Sequence, residues 1–227
     1  MDGDLPEASD VLAVVAHPDD ESFGLGAILA GFAGHGARVR VLCFTHGEAS
    51  TLGRAGQSLA EVRGAELRAA AEALGVGEVD LLTYPDGRLG HFRLGELAGV
   101  VAGFMGVARL LVVFDRGGVT GHADHRRATD AAVIAGRARR VPVLGWALPQ
   151  AVATQLNTEL DTSFLGRRPA QLDVSIVVDR ARQREAIACH ASQSSENPVL
   201  WRRLELLGPR EWLRWLVRDP SPRETGV

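Results

Sequence analysis

The sequence contains no lysine; all 25 of its basic residues are arginine. A Schiff-base lysine and a lysine phosphate clamp are therefore excluded. Cysteine is scarce as well. Cys43 sits inside an apolar run and reads as a small core hydrophobe. Cys189 lies far away on an expected helix, so the pair gives neither a disulfide framework nor a thiolate metal spacing. A strong excess of either charge is missing too: 25 basic residues face 28 acidic ones, for a net charge of -3. That balance leaves no electrostatic footprint for a nucleic-acid partner. No uninterrupted apolar stretch approaches the roughly 18 residues of a membrane span. The first residues, MDGDLPEASD, are polar and acidic, unlike a signal peptide. These absences lead to the expectation of a cytoplasmic protein.

What is present suffices for an ordinary globular core. The chain has 227 residues, 46% hydrophobic and 23% charged, enough to bury a core without staples. One domain is expected over residues 1–218, with 219–227 as a frayed, disordered tail. A metal in such a chain would serve chemistry rather than folding.

Apolar runs predict strands at Val11–Ala16, Arg38–Thr45, Val79–Tyr84, Leu110–Phe114, Val141–Leu148 and Val174–Val178. Helical spacing falls between them, at Gly24–Ala33, Leu59–Leu74, Leu94–Val107, His122–Arg139 and Asp179–His190. The Arg- and Trp-rich stretch Trp201–Arg218 reads as an amphipathic helix. It would either lie on a membrane or partner or dock with Trp201, Trp212 and Trp215 in the core or a subunit contact. Strands alternating with helices predict a doubly wound, mostly parallel Rossmann-like α/β sheet with helices on both faces. An order 3-2-1-4-5 makes the first and fourth strands neighbours where the order reverses, and ligands bind at that crevice.

Both arms of the crevice carry chemistry. His17-Pro18-Asp19-Asp20-Glu21 follows the first strand, and His122-Ala123-Asp124-His125 follows the fourth. Two imidazoles and one carboxylate form an N/O set suited to zinc, with a fourth position open for water. Fe(II), Co(II) and Ni(II) also suit such a set. A carboxylate beside the metal can take a proton from water, and a spare histidine can polarise a carbonyl or protonate a leaving amine. The parts are those of metal-assisted amide hydrolysis.

AHPDDE after the first strand, paired with GHADH after the fourth, resembles the LmbE-like (PIG-L) zinc-dependent N-acetylglucosaminyl deacetylases. Smaller matches run with it. Thr45-His46-Gly47-Glu48 resembles the family's T-x-G-E, and Arg63 and Glu66 its R-x-x-E. Asp86-Gly87 resembles its D-G, and Ala186, His190, Ser192 and Gln193 its A-x-x-x-H-x-S-Q. The resemblance implies His17, Asp20 and His125 as zinc ligands, Asp19 as general base and His122 as the group that stabilises the tetrahedral intermediate. It implies a small acylated amino sugar as substrate, and is compatible with a homo-oligomer. Ala123 departs from the family's usual H-P-D-H, and Thr120 stands where some relatives carry a tyrosine. Glu48, Arg54 and Asp86, on loops after the second and third strands, are candidate substrate-binding residues: carboxylates for sugar hydroxyls, and a guanidinium for an anionic aglycone.

Two other readings use the same residues. A zinc amidase acting on a thiol conjugate or acylated natural product would need the same metal set. A dinucleotide-binding module would use Gly24-x-Gly26, but its third position is Leu29, and the carboxylates of Asp19, Asp20 and Glu21 would repel a pyrophosphate.

Overall fold

A computed structural model describes residues 3–52 and 58–218. The expected tail, 219–227, lies outside the described residues. So does Arg54.

The first strand, β1 (Asp10–Val15), is buried along its whole length, as its unbroken apolar run requires. It pairs in parallel with β2 (Arg38–Thr45) on one side and β4 (Leu110–Phe114) on the other. β2 pairs in parallel with β3 (Glu78–Tyr84), and β4 with β5 (Val143–Pro149). The order β3-β2-β1-β4-β5 thus forms as expected and continues into β8 (Arg210–Val217), antiparallel to β5, and β7 (Val174–Val177), antiparallel to β8, with a two-residue β6 (Gly166–Arg167) beside β5. Apolar side chains fill both faces of the sheet. On one face pack α2 (Gly26–Gly34), α3 (Leu59–Leu74) and α7 (Ala181–Cys189), and on the other α4 (Leu94–Met105) and α5 (Ala123–Arg139).

Near β1 the helix expected at Gly24–Ala33 forms as α2, and a short additional turn of helix, α1 (Asp20–Phe23), precedes it with a break at Gly24 and Leu25. Gly24 is at the break because the chain passes tightly over the core there. A Cβ at this position would come 2.4 Å from Phe114 Cε1 and 3.0 Å from Trp146 Cζ3. The glycine thus answers to ring packing, not to a pyrophosphate.

The stretch Trp201–Arg218 is not one helix. α9 (Pro198–Leu207) ends at Gly208, whose φ of 56° suits glycine, and Pro209 follows. Residues Arg210–Val217 form β8, between β5 and β7 (Val174–Val177). Alternation explains the switch: Glu211 and Leu213 are buried while Arg210, Trp212 and Arg214 are less so. Trp212 and Trp215 therefore sit on a strand, and Trp201 is 40% exposed. The tryptophan at the heart of the core is Trp146, 1% exposed. α6 (Gln150–Leu160), with only Ala153 and Leu156 buried, and α8 (Ala191–Ser194) complete the helices. No helix among the described residues is long and apolar enough to cross a membrane.

Candidate active site at the switch point

The C-terminal ends of β1 and β4 bring the two His/Asp clusters into one cavity of about 370 Å³. His17 Nδ1 lies 3.1 Å from His125 Nε2. Asp20 Oδ1 is 3.1 Å from the same His125 nitrogen, and Asp20 Oδ2 is 3.7 Å from His17 Nδ1. Asp20 is locked in place by its own turn, accepting from the backbone N–H groups of Ala16 at 3.1 Å and His17 at 3.0 Å. Burial acts to raise its pKa, but His125, His17 and the backbone donor outweigh it and hold the carboxyl well below the usual range.

His125 is oriented from behind. Its Nδ1 lies 3.2 Å from the Gly118 carbonyl and 3.0 Å from Thr120 Oγ1. A carbonyl only accepts, so Nδ1 carries a proton, and in the neutral ring the lone pair on Nε2 is the one free to ligate. An imidazole lone pair, a second imidazole nitrogen and a carboxylate thus face one another, an arrangement a cation would satisfy. Around His17 the negative charge is denser still, with Asp86 Oδ1 at 3.0 Å and Asp124 Oδ2 at 3.5 Å from Nε2. Although burial opposes it, these carboxylates push the His17 pKa up to about 10. The donor set therefore fits a divalent metal, which would replace that proton. His122 also brings a ring nitrogen within 4.8 Å of the His17 and His125 nitrogens.

Asp19 stands next to this cluster in a strained backbone conformation, φ 122°, costly for a residue with a side chain. Its neighbours over-determine it. The Asp19 N–H donates to Glu21 Oε2 at 3.0 Å, and its carbonyl accepts from Phe23 N at 2.7 Å. Arg63, from α3, donates to Asp19 Oδ2 at 2.9 Å, to the Pro18 carbonyl at 2.5 Å and to the Gly47 carbonyl at 2.6 Å. Burial pushes the Asp19 carboxyl up to about 6, against the pull of Arg63 and with the help of Asp20. Glu21 is itself buried against His190, Nε2 to Oε1 2.6 Å, both 0% exposed. His190 is thus a support beneath the Asp19 turn. Glu66 plays a parallel part for α8, accepting from Ser192 N at 2.8 Å and Ser192 Oγ at 2.6 Å.

His122 caps α5, its Nδ1 accepting from the Asp124 N–H at 3.2 Å. That bond puts the proton of the neutral ring on Nε2. Burial, then the neighbouring His17 and His125, lowers its pKa and favours that neutral form. Asp124 accepts from the N–H groups of Gly87 at 2.8 Å and Leu89 at 3.1 Å, fastening the loop after β3 to the site.

The substrate candidates divide. Asp86 lines the cavity and accepts from Ala49 N at 3.0 Å. Glu48 accepts from the Asp86 N–H at 2.9 Å, so it shapes the loop rather than the cavity wall. Thr120 is a partner of His125, its Oγ1 3.0 Å from Nδ1. Sequence reasoning had given Arg63 no role beyond its R-x-x-E match, and had not singled out Phe114 or Arg203, which also line the cavity.

The fold and the site together define a Rossmann-like enzyme with a His/Asp cluster at the switch point of its sheet. The profile of the GlcNAc-PI de-N-acetylase (PIG-L) family matches residues 12–135, more than half of the chain, and the chain belongs to that family. It is similar to two proteins named 1D-myo-inositol 2-acetamido-2-deoxy-alpha-D-glucopyranoside deacetylase. One, from Kineococcus radiotolerans, is 35% identical over 57% of this chain and 45% of its own length. The other, from Rhodococcus jostii, is 29% identical over 83% of this chain and 82% of its own length. Among solved structures, the zinc-inhibited form of teicoplanin deacetylase Orf2 superposes with a TM-score of 0.67 at 23% identity, covering 93% of this chain and 100% of that one. That last likeness carries the fold.

Proposed function

We propose that this chain hydrolyses the N-acetyl amide of an N-acetylglucosamine-type amino sugar conjugate, with a divalent metal held by His17, Asp20 and His125. The observation that supports it most is the facing of His17 Nδ1, Asp20 and His125 Nε2 within 3.7 Å of one another, with Asp19 on the adjoining turn. Zinc bound there would polarise the scissile carbonyl and acidify a water. His122 is left out of the ligand set because its Nδ1 is committed to the Asp124 N–H.

Each remaining group has a part in the reaction. Arg63 takes Asp19 Oδ2, leaving Oδ1 to accept the proton of the attacking water. The His122 Nε2–H donates to the oxygen of the amide as it gains negative charge. The proton held by Asp19 then passes to the departing amine nitrogen, and the acyl group leaves as its carboxylate. Asp86, beside His17 and facing the cavity, is placed to accept from a sugar hydroxyl.

The test is acetate release by the zinc-restored protein from free GlcNAc, GlcNAc-inositol, GlcNAc-malate and chitobiose, with a chelated control. Chelator-sensitive release from any of them is the expected result. Silence across the panel, with metal bound stoichiometrically, would overturn the amino sugar assignment.

A further inference from the structure

Another part of the lining of the same cavity has a different character. α9 and the residues around it supply Phe23, Phe114, Phe164, Val199 and Leu200, and among them one guanidinium, Arg203. Arg203 is 6% exposed. Its Nη2 donates to the Phe23 carbonyl at 2.6 Å, and its guanidinium lies over the Trp146 ring, 5.2 Å from the centroid. Its Nε is buried without a hydrogen-bond partner. No carboxylate among the described residues forms an ion pair with it, and Phe23 O is its one hydrogen-bond acceptor there. Arg63, the other described guanidinium of the cavity, is by contrast taken up by Asp19, Pro18 and Gly47.

A buried cation with no carboxylate in contact and an unmet Nε donor is expensive. Burial lowers the Arg203 pKa to about 10, with Glu211 acting in the opposite direction, so the group stays charged at neutral pH. Its place in the site is close. Trp146 contacts Phe114 at 5.1 Å between ring centroids, and Phe114 contacts His125 at 4.9 Å. Phe23, whose carbonyl Arg203 holds, is on the same short helix as Asp20.

We propose that Arg203 makes the α9 side of the cavity a subsite for a carboxylate, so that the preferred substrate carries an anionic group there. This inference rests on the amide-hydrolase reading of the site. A guanidinium fork on an apolar wall matches a planar monoanion. A phosphate dianion suits it less, because Asp19, Asp20 and Asp86 line the same cavity. The carboxylate has two sources, the aglycone of the amino sugar or an acidic acyl group.

Matched substrates separate them. One pair is a GlcNAc glycoside whose aglycone ends in a carboxylate, and its carboxamide. The other is N-succinyl-glucosamine and its succinamide counterpart. The zinc-loaded wild type should prefer the acid of one pair in kcat/KM by about tenfold or more, the worth of one charge-assisted bond. Arg203→Met should bring that ratio to about one by raising KM for the acid, and Arg203→Lys should keep part of it. Equal kcat/KM within both pairs for the wild type, or a preference that survives in Arg203→Met, would overturn the proposal. A calorimetric titration with succinate covers the case in which the wild type cleaves none of the four. Binding about tenfold weaker to Arg203→Met than to wild type then upholds the subsite while the hydrolase reading fails; equal binding sinks the subsite. Should Arg203→Met not fold, Arg203→Lys carries the same two comparisons, with a partial loss expected.

Discussion

Replacing His190 by leucine is expected to cost about 3–5 kcal/mol, because it strips the partner from a buried carboxylate. Glu21 and His190 are both 0% exposed and meet at 2.6 Å. Without the imidazolium, Glu21 keeps the Ser22 hydroxyl at 2.6 Å and the Asp19 N–H at 3.0 Å, but no countercharge in contact. A protein of this kind has a total stability of about 5–15 kcal/mol, so the loss is a large share of it. Urea unfolding read by fluorescence and circular dichroism measures it as a fall in midpoint at constant slope. A double variant, Glu21→Leu with His190→Leu, separates charge from packing. Removing both partners should recover most of the stability while activity stays low, because Asp19 has then lost its backbone anchor. The pH dependence has a definite sign. Burial lowers the His190 pKa, but Glu21 outweighs it and the net shift is upward. Its contribution is therefore full below the unfolded value and fades as pH rises through the raised one. The gap between wild type and His190→Leu should be wider at pH 6 than at pH 9. A single variant within about 1 kcal/mol of wild type, less than an unmatched buried charge costs, would refute the reasoning, as would a double variant no more stable than the single.

Asp19→Asn should retain the metal and lose turnover by at least about a hundredfold, the usual worth of a positioned base, measured as acetate release. In the wild type the acid limb of kcat/KM should rise through about pH 6, where the Asp19 carboxyl ionises. His17→Ala and His125→Ala should each lose the metal itself, checked by elemental analysis of the purified protein. Full occupancy in both would show the ligand set to be wrong. Thr120→Val removes a hydroxyl 3.0 Å from His125 Nδ1 and should weaken zinc affinity by about tenfold, as loss of an orienting partner does. A chelator competition titration reads the change.

How much of this was legible in the sequence depends on how local the signal is. β1 and β4 were visible because a strand buried on both faces is apolar nearly throughout, and β2 was visible despite Arg40, which is buried in a pair with Asp10. The two arms of the site were visible because strand order alone makes β1 and β4 neighbours. The helix α6 was missed, since only Ala153 and Leu156 mark its buried face. The final stretch misled for a related reason: Trp and Arg at mixed spacings suit a helix or a strand, and the decision falls to the edge of β5 that β8 covers. His190 and Glu66 stood in the sequence as parts of weak motifs with no visible purpose. Their partners, Glu21 and Ser192, are far off along the chain.

By itself the sequence determined the residue types and their spacing: one histidine with three carboxylates at the first arm, and two histidines with one carboxylate at the second, after strands whose apolar runs place them. Tertiary structure alone decided which atoms face which. It set the tautomers of His122 and His125 through the Asp124 N–H and the Gly118 carbonyl. It held Asp19 at a positive φ through Glu21, and left Arg203 buried on the cavity wall without a carboxylate. Several of these contacts span only a few residues of chain, but they take this geometry only when the sheet and its helices have packed around them.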